Sequence, residues 1–158
     1  MDNSALDYTK YTDESVWEDS FEGDQKMDTL LSFNKSLLEG FTNFQNRNIP
    51  GLIKSYQNAL DTLERGKSPN HLENLITIKS NLGIAYYFNN EIDKAIFFNN
   101  EALKLINQNG RTIDRQLENI QSLYLKIMCN LIVFKMVKKE DEECHDLARQ
   151  LINFLNSM

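Results

Sequence analysis

The chain's softest nucleophiles and metal ligands are two cysteines and two histidines, and only Cys144 and His145 stand together. A cysteine nucleophile needs a neighbouring base that a third group holds in place. Adjacent residues on a helix diverge by about 100°, so Cys144 and His145 face apart and share no tetrahedral metal. Cys129 reads as a small core residue, and in an intracellular chain a Cys129–Cys144 disulfide is not expected. The run Glu140-Asp141-Glu142-Glu143 lacks the alternating oxygens and the glycine of a calcium loop. It suits the first turn of a helix, where carboxylates meet the positive end of the dipole. The six glycines are isolated, so no phosphate-cradling loop is written here. The expectation is a chain that is not an enzyme, with no catalytic residue, metal, cofactor or small-molecule substrate.

What the residues offer instead is surface, and helices must carry it. Leu30, Leu31, Phe33, Leu37, Leu38, Phe41 and Phe44 keep helical spacing from Asp28 onward. Asn48-Ile49-Pro50 stops that run, because the residue before proline avoids the helical region. Leu52, Ile53, Tyr56, Ala59, Leu60 and Leu63 form a second run that closes near Gly66. A third begins about Pro69 and reaches Asn89; a fourth runs from Glu91 to about Gln108 and ends at Asn109-Gly110. Thr112 caps a fifth, from about Ile113 to Val137, and a sixth spans about Glu140 to Asn156. The reading is all-α: a helical domain at 27–158 made of helix pairs at about 28–66, 69–108 and 112–156.

Small residues mark where paired helices come close. Gly83, after Leu82, removes a side chain; Tyr86 fills the next gap; Ala95 and Ala102 are the small residues of the following helix. Leu82, Gly83, Tyr86, Ala95 and Ala102 in this spacing resemble the tetratricopeptide repeat. Gly40, Tyr56 and Ala59 repeat part of the pattern, with Gly40 to Gly83 and Ala59 to Ala102 both 43 residues apart. That is longer than the plain repeat of about 34, and is similar to the long repeats of kinesin light chains and spindle-orientation adaptors. Taking Cys129 as the third small position sets Ala148 nineteen residues on, where the family has alanine. The resemblance implies an antiparallel helix-pair solenoid of about three such repeats.

It also implies a concave groove. Counting the small residue as eight, the family turns first-helix positions two, five, six, nine, twelve and thirteen inward. The first repeat then offers Asn34, Leu37, Leu38, Phe41, Phe44 and Gln45. The second offers Thr77, Ser80, Asn81, Ile84, Tyr87 and Phe88, and the third Leu123, Lys126, Ile127, Asn130, Val133 and Phe134. Leu37, Phe41, Phe44, Asn81, Ile84, Tyr87, Phe88, Asn130 and Phe134 are the expected partner-binding residues: rings for apolar side chains, amides for a peptide backbone. The carboxylate-clamping members place Lys, Asn and Arg at five of these positions; here only Asn81 matches.

Charge divides the chain. Residues 1–29 hold nine acids against two bases, and residues 30–158 hold fourteen against fifteen. Residues 1–26 read as a disordered acidic tail. Its Tyr8, Tyr11, Trp17 and Phe21 are either incidental or contacts that order on binding; Val16-Trp17-Glu18-Asp19 resembles the peptides that kinesin-light-chain repeats bind. No basic field for nucleic acid is evident, since Lys135, Lys138 and Lys139 sit at a helix end. No signal peptide is expected, nor any run of membrane-spanning length, so the expected site is cytoplasmic, with nucleus and cilium open.

The expected function is a non-catalytic adaptor that binds a protein partner's peptide or helix in the groove. The tail, through Trp17 and Phe21, serves as a second contact or as an autoinhibitor. The alternative is a structural subunit of a larger cytoskeletal, ciliary or other complex, held through the apolar last helix; that helix otherwise folds over as the domain's own cap.

Overall fold

Three turns of one design organise the chain. The structure, a computed structural model, describes residues 14–109 and 117–158, with side chains from Glu22 to Asn109 and from Asn119 onward. Its helices are α1 (Glu14–Gln45), α2 (Ile49–Arg65), α3 (His71–Phe88), α4 (Ile92–Gln108), α5 (Leu117–Lys138) and α6 (Asp141–Ser157). Arg47, Asn90 and Lys139 stand in the turns within the three pairs, with φ of 57°, 60° and 61°. In each turn the next residue donates to a carbonyl five back: Asn48 to Asn43, Glu91 to Tyr86 and Glu140 to Lys135. The left-handed residue itself donates three back, to Phe44, Tyr87 and Met136. These closures satisfy carbonyls that a helix end leaves open. Asn48 also caps α2, its side chain accepting from the Gly51 amide at 3.1 Å, with Pro50 in the first turn.

The pairs are antiparallel. Gly40 lies under the Tyr56 ring and beside Leu52, and Gly83 lies against Ala95 and Asn99. Each helix packs on the next in the chain, and α5 also packs on α3. The first helices of successive pairs run parallel: Phe44 meets Phe88, Asn81 meets Lys126 and Tyr87 meets Phe134. Between the helices lies a core of Phe33, Leu63, Ile76, Ile78, Leu82, Ala95, Ala102, Ile127 and Leu131, all nearly inaccessible. Truncating one of its leucines to alanine is expected to cost about 2–5 kcal/mol.

Four differences from the sequence reading have physical causes. First, α1 begins at Glu14 rather than near Asp28, so Glu14–Lys26, read as part of the tail, is helical; residues 1–13 lie outside the described residues. Adding residues to a nucleated helix is inexpensive, and acids in its first turn complement the dipole. Second, the turns correct the third register. Arg47 to Asn90 is 43 residues but Asn90 to Lys139 is 49, so the partner of Gly83 is Ile132, not Cys129. Cys129 is exposed rather than core. The same register sets Ile132 opposite Ala148, inverting the small–large order of Gly40–Tyr56 and Gly83–Asn99.

Third, α5 does contain a stretch of membrane-spanning length, Asn119–Lys138, with mean hydropathy 1.4. Its Ile120, Ile127, Met128, Leu131 and Phe134 are buried inside the protein, and 28% of the stretch is buried. Fourth, α3 starts at His71. Ser68-Pro69 precedes it as a shoulder, where the Asn74 amide donates to the Ser68 hydroxyl and the Pro69 carbonyl. The expected stop at Gly110 and cap at Thr112 lie outside the described residues.

Candidate functional site

The parallel arrangement of α1, α3 and α5 brings their C-terminal halves to one surface. Phe41, Phe44 and Phe88 are 54, 47 and 50% exposed, although each is a large ring. Phe44 and Phe88 stand 5.9 Å apart between centroids, joining α1 to α3. Tyr87 meets Phe88 edge-on at 5.8 Å and stacks on Phe134 at 5.1 Å, joining α3 to α5. Such pairs add modestly to their area burial and orient one another. A cleft of about 160 Å³ opens between Phe44, Leu52, Tyr56, Asn81, Ile84 and Phe88. A wider one of about 460 Å³ lies between Tyr87, Phe88, Asn90, Ile92 and Val137.

Of the residues expected to line a groove, Phe44, Asn81, Ile84, Tyr87 and Phe88 line these clefts, and Phe41 is exposed on α1 but lines neither. Leu37 is half-buried and packs on the core. Phe134 is only 3% exposed and serves as the floor under Tyr87 rather than as lining. The longer third register explains the change, because it turns Val133, Met136 and Val137 outward in place of Phe134. Val137 is therefore a lining residue that spacing alone missed, with Met136 exposed beside it; only the left-handed Lys139 turn, invisible in the residue types, sets that register.

The amides divide likewise. Asn81 accepts from the Lys126 ammonium at 2.8 Å. Lys126 counts as exposed overall, yet burial of its head between α3 and α5 pushes that ammonium below the ordinary lysine range. Asn130 faces inward and donates to Asn99 Oδ1 at 3.2 Å. Asn99, fully buried, donates in turn to the Ala95 carbonyl at 3.3 Å and the Ser80 carbonyl at 3.5 Å, tying α3, α4 and α5 at one point. No helical-periodicity argument picks out Asn99, because its neighbours Asn100 and Asn107 look the same.

The remaining signature residues hold the helices rather than the surface. Ala59, Ala95 and Ala102 are fully buried; Leu82 and Tyr86 are buried, with the Tyr86 hydroxyl accepting from Gln57 at 3.2 Å. Tyr86 stacks on Phe98 at 5.4 Å. Burial raises the Tyr56 phenol above its ordinary value. Trp17 and Phe21 belong to α1, but their side chains lie outside the described residues.

Cys144 and His145 do point apart: the Cys144 thiol faces the Ile132 carbonyl at 3.8 Å, and His145 Nδ1 lies 2.6 Å from the Asp141 carbonyl. Among the described residues no group of three or more His, Cys, Asp or Glu side chains could hold a metal ion. Among the described residues the ion pairs cluster most densely at the α5–α6 turn, where Lys135 pairs with Glu140 and Glu143, and Lys138 with Asp93 and Glu140. Hydrogen bonds from Lys135 and Lys138 hold the Glu140 carboxyl down at about 2. The arrangement can grip an apolar segment between rings and amides. Set against family models, curated proteins and solved structures, the chain finds no match in any of the three.

Proposed function

We propose that this protein is a non-catalytic interaction module, a short solenoid of tetratricopeptide-like helix pairs that binds a segment of another protein. The observation that carries the reading is the exposed ring pair Phe44–Phe88 beside the Asn81–Ile84 cleft. Rings left half in water on facing helices offer apolar contact that a monomer gains little from exposing. The side chains of Asn81 and Lys126 supply polar anchors next to them. The test is selection of peptides from a random displayed library on the full-length protein, followed by titration of the best binder. Phe44→Ala/Phe88→Ala is expected to weaken binding at least tenfold while helicity is kept; undiminished binding overturns the reading.

The acidic aromatic segment enters this reading with one constraint. Trp17 and Phe44 lie on one continuous helix, 27 residues and so about 40 Å apart. Trp17 therefore reaches the Phe44 cleft of its own chain only if α1 breaks. A second reading, a structural subunit of a larger complex, draws on α6. That helix has no buried residue and exposes Ile152 and Leu155, with exposed Met158 just past its end. Polar substitutions at Ile152 and Leu155 are expected to abolish assembly in that case and to leave peptide binding untouched.

A further inference from the structure

The three helix pairs carry equivalent positions, and these report what each pair needs on its far side. Counted from the left-handed residue of each turn, Arg47, Asn90 and Lys139, the thirteenth residue onward is Leu60, Leu103 or Ile152. The sixteenth is Leu63, Ile106 or Leu155. Leu60, Leu63 and Ile106 are buried and Leu103 is half-buried, whereas Ile152 and Leu155 are 55 and 48% exposed. The residue types are alike; the surroundings differ. The helix α2 packs on α3, and α4 on α5, the first helix of the next pair. Among the described residues no helix follows α6. Repeats of this design hide their apolar faces only against a neighbour.

Two further positions agree. The third residue before each turn is Phe44, Tyr87 or Met136. Phe44 meets Phe88 and Tyr87 meets Phe134, each a ring on the following first helix, while Met136 is 61% exposed. The third residue after the second and third turns is Asp93 or Glu142. Asp93 pairs at 2.8 Å with Lys138 in the last turn of α5. Glu142 is exposed and stands outside the ion pairs of its own turn.

The other end of the solenoid is finished differently. Twelve residues before the turn, α3 and α5 bury Ile78 and Ile127; eight before it they bury Leu82 and Leu131. At those places α1 holds Lys35 and Glu39, both exposed. A second copy's α1 laid on Ile152 and Leu155 in this register would therefore bury charge against them. A second copy's α6 laid antiparallel would bring no base to Glu142, because its last turn has none.

We infer that the outer face of α6 takes an amphipathic helix of another protein, docked antiparallel as α5 docks on α4. The inference rests on the second reading above, in which the chain is held through α6. The chemistry of that helix follows from α5, which fills the equivalent place beside α4. It carries aliphatic residues four apart, as Ile127 and Leu131, an aromatic three further on, as Phe134, and a base in its last turn, as Lys138. The aliphatics cover Ile152 and Leu155, the ring rests on the Met136 thioether, and the base pairs with Glu142.

A labelled, amidated peptide with the sequence of α5, Leu117–Lys138, titrated into the full-length protein, tests this. Micromolar binding is expected; none at about 100 µM overturns the inference. Ile152→Glu/Leu155→Glu should weaken binding at least tenfold with helicity kept. Lys138→Glu in the peptide should weaken it several-fold, and Glu142→Lys in the protein should restore it. Failure to restore overturns the inference, since a peptide that displaced the protein's own α5 would meet Asp93 instead. Binding that is lost in Phe44→Ala/Phe88→Ala overturns it too, as does self-association through Ile152 and Leu155 by a protein that takes no peptide. If Ile152→Glu/Leu155→Glu abolishes a large assembly in native extract while the peptide fails to bind, the inference falls and the subunit reading stands.

Discussion

Gly83 stands so close to Asn99 that a Cβ on Gly83 would overlap the Asn99 amide nitrogen and come within 2.9 Å of the Ala95 carbonyl. Alanine normally gains about 1 kcal/mol over glycine inside a helix. Here that gain is outweighed, because the overlap falls on backbone and on a buried amide. Gly83→Ala is expected to lower stability by about 1–3 kcal/mol, read as a lower urea midpoint. Gly23 has nothing within 4 Å, so Gly23→Ala should raise helicity by circular dichroism without loss of stability.

Two buried polar neighbours should respond with opposite signs. The Ser80 hydroxyl is buried and has no partner among the described residues, and an unsatisfied buried hydroxyl costs about 1–3 kcal/mol. Ser80→Ala is therefore expected to stabilise, by roughly 1 kcal/mol, or about 3 °C in Tm. Asn99→Ala removes the bonds to Ala95, Ser80 and Asn130. It should destabilise by about 2–3 kcal/mol. Thermal scans of both variants check the pair; a destabilising Ser80→Ala would mean that the hydroxyl is satisfied after all.

The helix pairs were legible because apolar spacing, Pro50, Asn89-Asn90 and the small residues Gly40, Gly83, Ala59 and Ala102 all act locally. What the sequence hid was the third register. Ala148 lay at the expected distance from Cys129, but the turn positions put Ile132, not Cys129, where the first two pairs have glycine. That shift moved Phe134 inside and Met136 and Val137 outside. The onset of α1 at Glu14 was hidden for another reason: Glu22–Asp28 is exposed throughout, so no apolar periodicity announced it.

Mild acid should be felt first at His71. Burial, with the Lys67 charge adding to it, lowers its pKa below the ordinary 6.5, and the Ser68 N–H donates to its Nδ1 at 3.2 Å, which requires the neutral ring. The unfolded chain thus takes up the proton at higher pH than the folded one. Stability attached to the neutral ring is complete above about 6.5 and is lost as pH falls through the folded value. Tm should fall as the pH is lowered from neutrality through and below the ordinary histidine range, and His71→Gln should flatten that part of the curve.

A second acid step belongs to Glu140. Its carboxyl titrates at about 2 in the fold against an ordinary 4.5 because Lys135 and Lys138 hydrogen-bond it. The stability it contributes is present above 4.5 and lost as pH drops toward 2. Glu140→Gln should remove the dependence in that window and leave the His71 step intact. At the alkaline end, Lys135 is pulled down by burial but raised overall by its bonds to Glu140 and Glu143, so its contribution fades only above the ordinary 10.5. Urea midpoints at pH 7, 4 and 3 for the parent and Glu140→Gln proteins decide this, and added salt should shrink the difference.

Because each helix leans mainly on the next one in the chain, the molecule has ends that can open without the middle. The final helix, α6, has no buried residue and packs chiefly on α5. Its amides should exchange with solvent long before those of α3, whose Ile76, Ile78 and Leu82 are sealed on both sides. Cleavage by a protease near Lys139 should then release α6 and leave a folded remainder. Whatever binds α6 would change the lifetime of that last segment more than the stability of the whole.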